Sequence, residues 1–125
     1  PFAAGVNNHM GSRFPACPED IDKALTFIKN RHLYFVDSIT SNRSIAYQTA
    51  RKMDMATAKR NVFIDTIPKE ATILKQLAKL VQTAKTYGHA IGIGHPYPQT
   101  ARALEYFLSH NDLSEITIVS VSQIL

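Results

Sequence analysis

Tryptophan is absent from the 125 residues, cysteine occurs once, glycine five times, and charged side chains make up only 19%. A single thiol, Cys17, excludes an internal disulfide and any multi-cysteine zinc site. Charge this sparse argues against a coiled coil or a solvated helical rod. No apolar run approaches the roughly 18 residues that a membrane helix needs. Neither end shows a basic segment leading into an apolar stretch, so no signal peptide is read in this sequence. A phosphate-cradling loop is missing as well: Gly92-Ile93-Gly94 lacks a third glycine and runs into His95-Pro96. There is no nucleophilic-serine elbow, no internal repeat and no low-complexity tract.

What is present is enough apolar material for a core, 45% of residues, in a chain of single-domain size. The net charge is +4, with five basic and four acidic residues in 1–50 and nine basic and six acidic in 51–125. No basic cluster exceeds a pair such as Arg51-Lys52. Nucleic-acid binders gather positive charge onto a stripe or patch, so nucleic acid is not an expected partner.

Short apolar runs alternate with amphipathic segments. Ala3–Val6, Leu33–Val36, Val62–Ile64, Ala90–Ile93 and Ile116–Val121 read as strands. Between them, helices are expected from Pro18 through Ile28, over about Ser44–Met53, from Lys69 to Tyr87 with Gly88 as its stop, and over Thr100–Leu108. Five strands separated by four helices predict the α/β class: repeated βα units and a mostly parallel sheet. The strands lack alternation, as strands covered on both faces do.

Polar residues follow four of these strands: Asn7-Asn8-His9, Asp37-Ser38, Asp65, and Gly94-His95. In parallel α/β folds the carboxyl ends of strands form the ligand face. His9 could ligate a metal, with Asn7 and Asn8 orienting it or binding substrate hydroxyls, or it could lie in an ordinary turn. His95, between a glycine and a proline, suits general acid/base work; the alternative is a strand-end histidine bonded to backbone. Asp37 ends a very apolar strand and would need a partner, whether an imidazole that it orients or the turn that it caps. Arg60 and Asp65 bracket one strand, as substrate contacts or as a structural ion pair. Arg13 could bind an anion or form a surface salt bridge. His32, His89 and His110 sit at element ends and read as structural.

Taken in order, Gly5-Val6-Asn7-Asn8-His9-Met10-Gly11-Ser12-Arg13-Phe14, Phe35-Val36-Asp37-Ser38, Arg60-Asn61-Val62-Phe63-Ile64-Asp65, Ile93-Gly94-His95-Pro96 with Pro98 and Thr100, and Val119-Ser120-Val121-Ser122 resemble the divergent polysaccharide deacetylase family. That resemblance covers essentially the whole chain. It implies a distorted (β/α) barrel, of which this would be the C-terminal portion, and removal of acetyl groups from sugars with a divalent metal, usually zinc. It implies His95 as the acid that protonates the leaving amine, Asp37 as the carboxylate that orients it, and His9 as a metal ligand. Asn7, Asn8, Arg13, Arg60 and Asp65 would contact substrate. Where the family has an aspartate after the arginine near residue 60, this chain has Asn61. The earlier aspartate pair and histidine of the family have no counterpart in these 125 residues. Export to the periplasm or beyond would follow from the same resemblance, as would a polysaccharide partner. The competing expectation is a non-catalytic member that binds envelope polysaccharide or a protein on the same face, with pairing between chains through an exposed sheet edge.

Overall fold

The structure is a computed structural model, which describes residues 3–9 and 17–125. The chain forms two compact units, the first running to Lys59 and including Leu125, the second spanning Arg60–Ile124. Both are α/β with parallel strands, as the sequence predicts.

The first unit begins with strand β1 (Gly5–Asn7), followed by helix α1 (Pro18–Lys29), strand β2 (Tyr34–Asp37), helix α2 (Ala46–Lys52) and strand β3 (Thr57–Lys59). Pro18 opens α1, with its ring fixing a helical φ where the N–H would be unpaired anyway. Glu19 and Asp20 in the first turn and Lys29 in the last complement the helix dipole. Ile21 and Leu25, one turn apart, are buried with Phe35, Ala46, Ala50 and Met55. The sheet order is β1-β2-β3, parallel throughout, with Asn7 opposite Val36 and Asp37 opposite Lys59. This register brings Asn7 and Asp37 to the same end of the sheet. Gly5 is required beneath the Tyr34 ring, because a Cβ there would collide with it.

The second unit contains strand β4 (Val62–Phe63), helix α3 (Glu70–Tyr87), strand β5 (Gly92–Ile93) and helix α4 (Pro98–His110). The strands pair in parallel, Val62 opposite Gly92 and Phe63 opposite Ile93. The pairing extends one residue further, where the Ile64 N–H donates to the Ile93 carbonyl at 2.9 Å. Asn61 closes the other end: its Oδ1 accepts from the Ile91 N–H at 2.8 Å and its own N–H donates to the Ile91 carbonyl. The residue that departs from the family pattern is therefore a strand clip. Gly88 ends α3 with φ 84° and returns its N–H to the Ala84 carbonyl. The core is Val62, Ile64, Ile73, Leu77, Ala103 and Phe107.

Two strand expectations need correction. Ile116–Val121 is not a strand: Ile118 is exposed, and the segment ends in a 3-10 turn, Val121–Gln123, capped reciprocally by Ser120 and Gln123. An apolar run without a strand to pair with has no ladder to join. Conversely, Thr57–Lys59 pairs with β2 although Thr-Ala-Lys carries no apolar run. Among the described residues no helix is long and apolar enough to cross a membrane.

Candidate functional site

Asp37 closes β2 and is wholly buried. Its Oδ1 accepts from the Ile39 N–H at 2.9 Å and from Asn8 Nδ2 at 3.4 Å, and its Oδ2 accepts from the Ser44 hydroxyl at 2.7 Å and the Tyr47 N–H at 3.1 Å. The Tyr47 N–H belongs to the first turn of α2, so this carboxylate ties the end of β2 to the helix that follows. Asn8 braces the same turn, accepting the Ser38 N–H at 2.7 Å, while Asn7 Nδ2 donates to Ser38 Oγ at 3.1 Å. Ile39 is held at φ 47°, a conformation that a β-branched residue adopts only under constraint. Next to it, the Thr40 hydroxyl is buried without a hydrogen-bond partner among the described residues. The turn after β2 is thus strained and braced from three sides.

In the second unit, Asp65 follows β4 and His95 follows β5, so neighbouring parallel strands deliver them side by side. His95 Nδ1 lies 3.0 Å from Asp65 Oδ1, and the His95 N–H donates to Asp65 Oδ2 at 2.5 Å. The Thr100 hydroxyl, from the first turn of α4, donates to the same Oδ2 at 2.8 Å. Asp65 is 2% exposed, whereas the His95 side chain is 27% exposed, so the acid is sealed beneath an open imidazole. Gly94 makes the approach possible. A Cβ there would lie 2.6 Å from Ile64 Cγ1 and 3.2 Å from Asp65 Oδ2. The imidazole sits between two rings, Phe63 at 5.4 Å and Tyr97 at 4.9 Å between centroids.

Burial by itself would raise the Asp65 carboxyl. The backbone N–H and ring of His95 and the Thr100 hydroxyl outweigh it and hold the group below its usual 3.8. Asp65 is therefore ionised near neutral pH and can only accept hydrogen bonds. The facing Nδ1 must donate, which assigns the ring proton to Nδ1 and makes Nε2 the nitrogen that exchanges protons. Catalytic zinc takes about three protein ligands. Among the described residues no three His, Cys, Asp or Glu side chains converge, and both aspartates have their oxygens occupied by protein donors. The described residues by themselves do not supply the ligand set of a zinc ion.

The expected carboxylate on the catalytic imidazole was Asp37, and at Nδ1 of His95 the structure has Asp65 instead. Asp37 fulfils its other expectation, capping the turn. Asp65, expected at the substrate, is buried and engaged with His95 and Thr100. Arg60 places its guanidinium 5.1 Å from the Phe63 ring centroid. Asn7 and Asn8 brace the β2 turn, and His9 is exposed at the end of β1. Arg13 lies outside the described residues. Ser44 and Tyr97 are additions, and so is the bond from Thr100, a residue of the family motif, to Asp65. Thr100 has a sequence signal, a hydroxyl two residues past the proline that starts a helix, but nothing in the sequence links it to Asp65 thirty-five residues earlier.

Residues 1–125 match the family described as divergent polysaccharide deacetylase. An uncharacterized protein of Escherichia coli K12, YibQ, is 35% identical over 125 residues, which is 100% of this chain and 39% of the relative. An uncharacterized protein of Haemophilus influenzae is 35% identical over 103 residues, 82% of this chain and 37% of the relative. The crystal structure of an uncharacterized protein from Agrobacterium tumefaciens C58 superposes with a TM-score of 0.87 at 27% identity, over 98% of this chain and half of that one. The chain thus spans well under half the length of its curated relatives. With a match along its entire length and the strand-end residues set out as above, this chain belongs to the divergent polysaccharide deacetylase family.

Proposed function

We propose that this protein acts on acetylated carbohydrate and that His95, held by Asp65, handles the proton in cleavage of the acetyl group. The observation that carries the reading is the buried, ionised carboxylate that fixes the ring proton of a solvent-open imidazole at the carboxyl ends of two parallel strands. In amide hydrolysis water adds to the carbonyl carbon, the C–N bond breaks, and the departing amine must gain a proton. His95 Nε2 takes the proton that the attacking water loses and gives it to the departing amine, while Asp65 stabilises the transient imidazolium from the Nδ1 side. Acetate and a free amino sugar are the products. Acetylated polysaccharide of the cell envelope is the substrate class that goes with this reading, and a location at the envelope would go with it.

The test is acetate release from N-acetylated chitooligosaccharides and from acetylated peptidoglycan, by the protein and by its His95→Ala variant. The expected result is release that falls at least about a hundredfold in the variant. Release at the original rate removes His95 from the chemistry. A second reading is a member that binds polysaccharide without cleaving it, which would suit two buried aspartates whose oxygens are engaged by protein donors. Saturable binding with no acetate, in protein dialysed against added zinc, selects that one. A metal held by His9 is tested in the same samples by elemental analysis of the protein and of His9→Ala.

A further inference from the structure

Four planar groups form a row of pairwise contacts, from Arg60 just before β4 to Tyr97 just before α4. The Arg60 guanidinium lies 5.1 Å from the Phe63 centroid, Phe63 lies 5.4 Å from His95 at 34°, and His95 lies 4.9 Å from Tyr97 at 21°. Tyr97 ends the row and is 41% exposed. Its backbone is extended (φ −80°, ψ 145°), and Pro98, which opens α4, disfavours any helical alternative at that position. An aromatic ring left open to water loses the benefit of burial, yet here it is fixed at the backbone and stacked on the imidazole. Such a ring presents a large apolar face at little cost in conformational entropy, with a hydroxyl at its tip.

We propose that Tyr97 is the carbohydrate-stacking residue of this site, the platform on which a pyranose ring lies beside His95. A pyranose has an apolar face of C–H groups and a rim of hydroxyls. That combination suits a fixed tyrosine ring with a polar tip. The inference rests on the carbohydrate reading above and adds the recognition surface to it.

The experiment is titration with tetra-N-acetylchitotetraose, followed by calorimetry, of the wild type, Tyr97→Phe and Tyr97→Ala, with circular dichroism to confirm folding. The His95 ring nitrogen shifts, which report the tautomer, are recorded by NMR in each. Tyr97→Phe keeps the ring and should bind within about threefold of wild type; Tyr97→Ala should bind at least about tenfold more weakly. The ring proton should stay on Nδ1 in both wild type and Tyr97→Ala, because Asp65 holds it there. Because the chain has no tryptophan, Tyr97→Trp provides a lone fluorophore whose emission should change as the sugar binds. Unchanged affinity in Tyr97→Ala overturns the platform and leaves the carbohydrate reading standing. Weaker binding together with a ring proton moved off Nδ1 also overturns it, making Tyr97 a positioning residue. A wild type that neither binds the tetrasaccharide nor releases acetate removes the underlying reading and the platform with it.

Discussion

Replacing either buried aspartate by asparagine keeps the shape and removes the charge, but the consequences differ because the donors differ. At Asp37 each oxygen receives a backbone N–H, from Ile39 and from Tyr47. An amide nitrogen at either position points N–H at N–H, so Asp37→Asn must break one bond of the β2 turn. We expect a loss of about 2–3 kcal/mol, read as a lower denaturant midpoint. At Asp65 the amide can turn its oxygen to the His95 N–H and the Thr100 hydroxyl, leaving its NH2 to face Nδ1. The imidazole can accept that hydrogen bond only by moving its proton to Nε2. Asp65→Asn should therefore fold, with the ring nitrogen shifts in NMR exchanged between Nδ1 and Nε2, and any acetate release should fall by about a hundredfold or more. An unchanged tautomer would remove Asp65 from the role assigned to it.

At the scale of elements, the three glycines around α3, β5 and the site make a graded series. Gly88→Ala meets no atom, but φ 84° strains any side chain at the α3 terminus, at about 1 kcal/mol. Gly92→Ala approaches Leu80 Cδ2 at 2.6 Å, the free end of a flexible side chain that can move aside, so it should cost about as much or less. Gly94→Ala presses on Ile64 Cγ1, close to the backbone of a buried residue, and crowds Asp65 Oδ2. Its cost should be about 1–3 kcal/mol, and of the three it alone should perturb the His95 ring signals. Thermal midpoints of the three variants, with the His95 NMR shifts, check the order. These elements also mark how far the sequence can be read. Helix α1 announced itself by Pro18 and the Ile21–Leu25 spacing, α3 by its stripe and Gly88, and the polar residues at strand ends located both clusters. Strand β3 was invisible because three residues of an edge strand need only a neighbour's backbone, and Ile116–Val121 misled because apolar content was mistaken for pairing. Assigning Asp65 rather than Asp37 to His95 needed the β4–β5 register, a long-range fact that no local pattern encodes.

For the whole molecule, pH links the site to stability. Each unit has its own core, and the buried acid with a displaced titration, Asp65, lies in the second. Its folded-state value lies below the ordinary 3.8 that it regains on unfolding. The unfolded chain therefore binds the proton more readily than the folded one. Stability from this group is fully present above the unfolded value and is lost as pH falls through the folded one. Asp112 is also lowered, chiefly by the Ser114 N–H, but it is fully exposed, and solvent leaves little there to lose. The acid-side loss in Arg60–Ile124 should then come largely from the Asp65–His95–Thr100 cluster, since an uncharged Asp65 holds these donors less strongly. Denaturant midpoints of wild type and Asp65→Asn, measured from neutral pH down to about pH 2, should be farthest apart above about pH 5 and converge below 3.8. A gap that stays constant across this range would mean that the carboxylate contributes through shape alone. The proton on Nδ1 would then be set by something other than its charge.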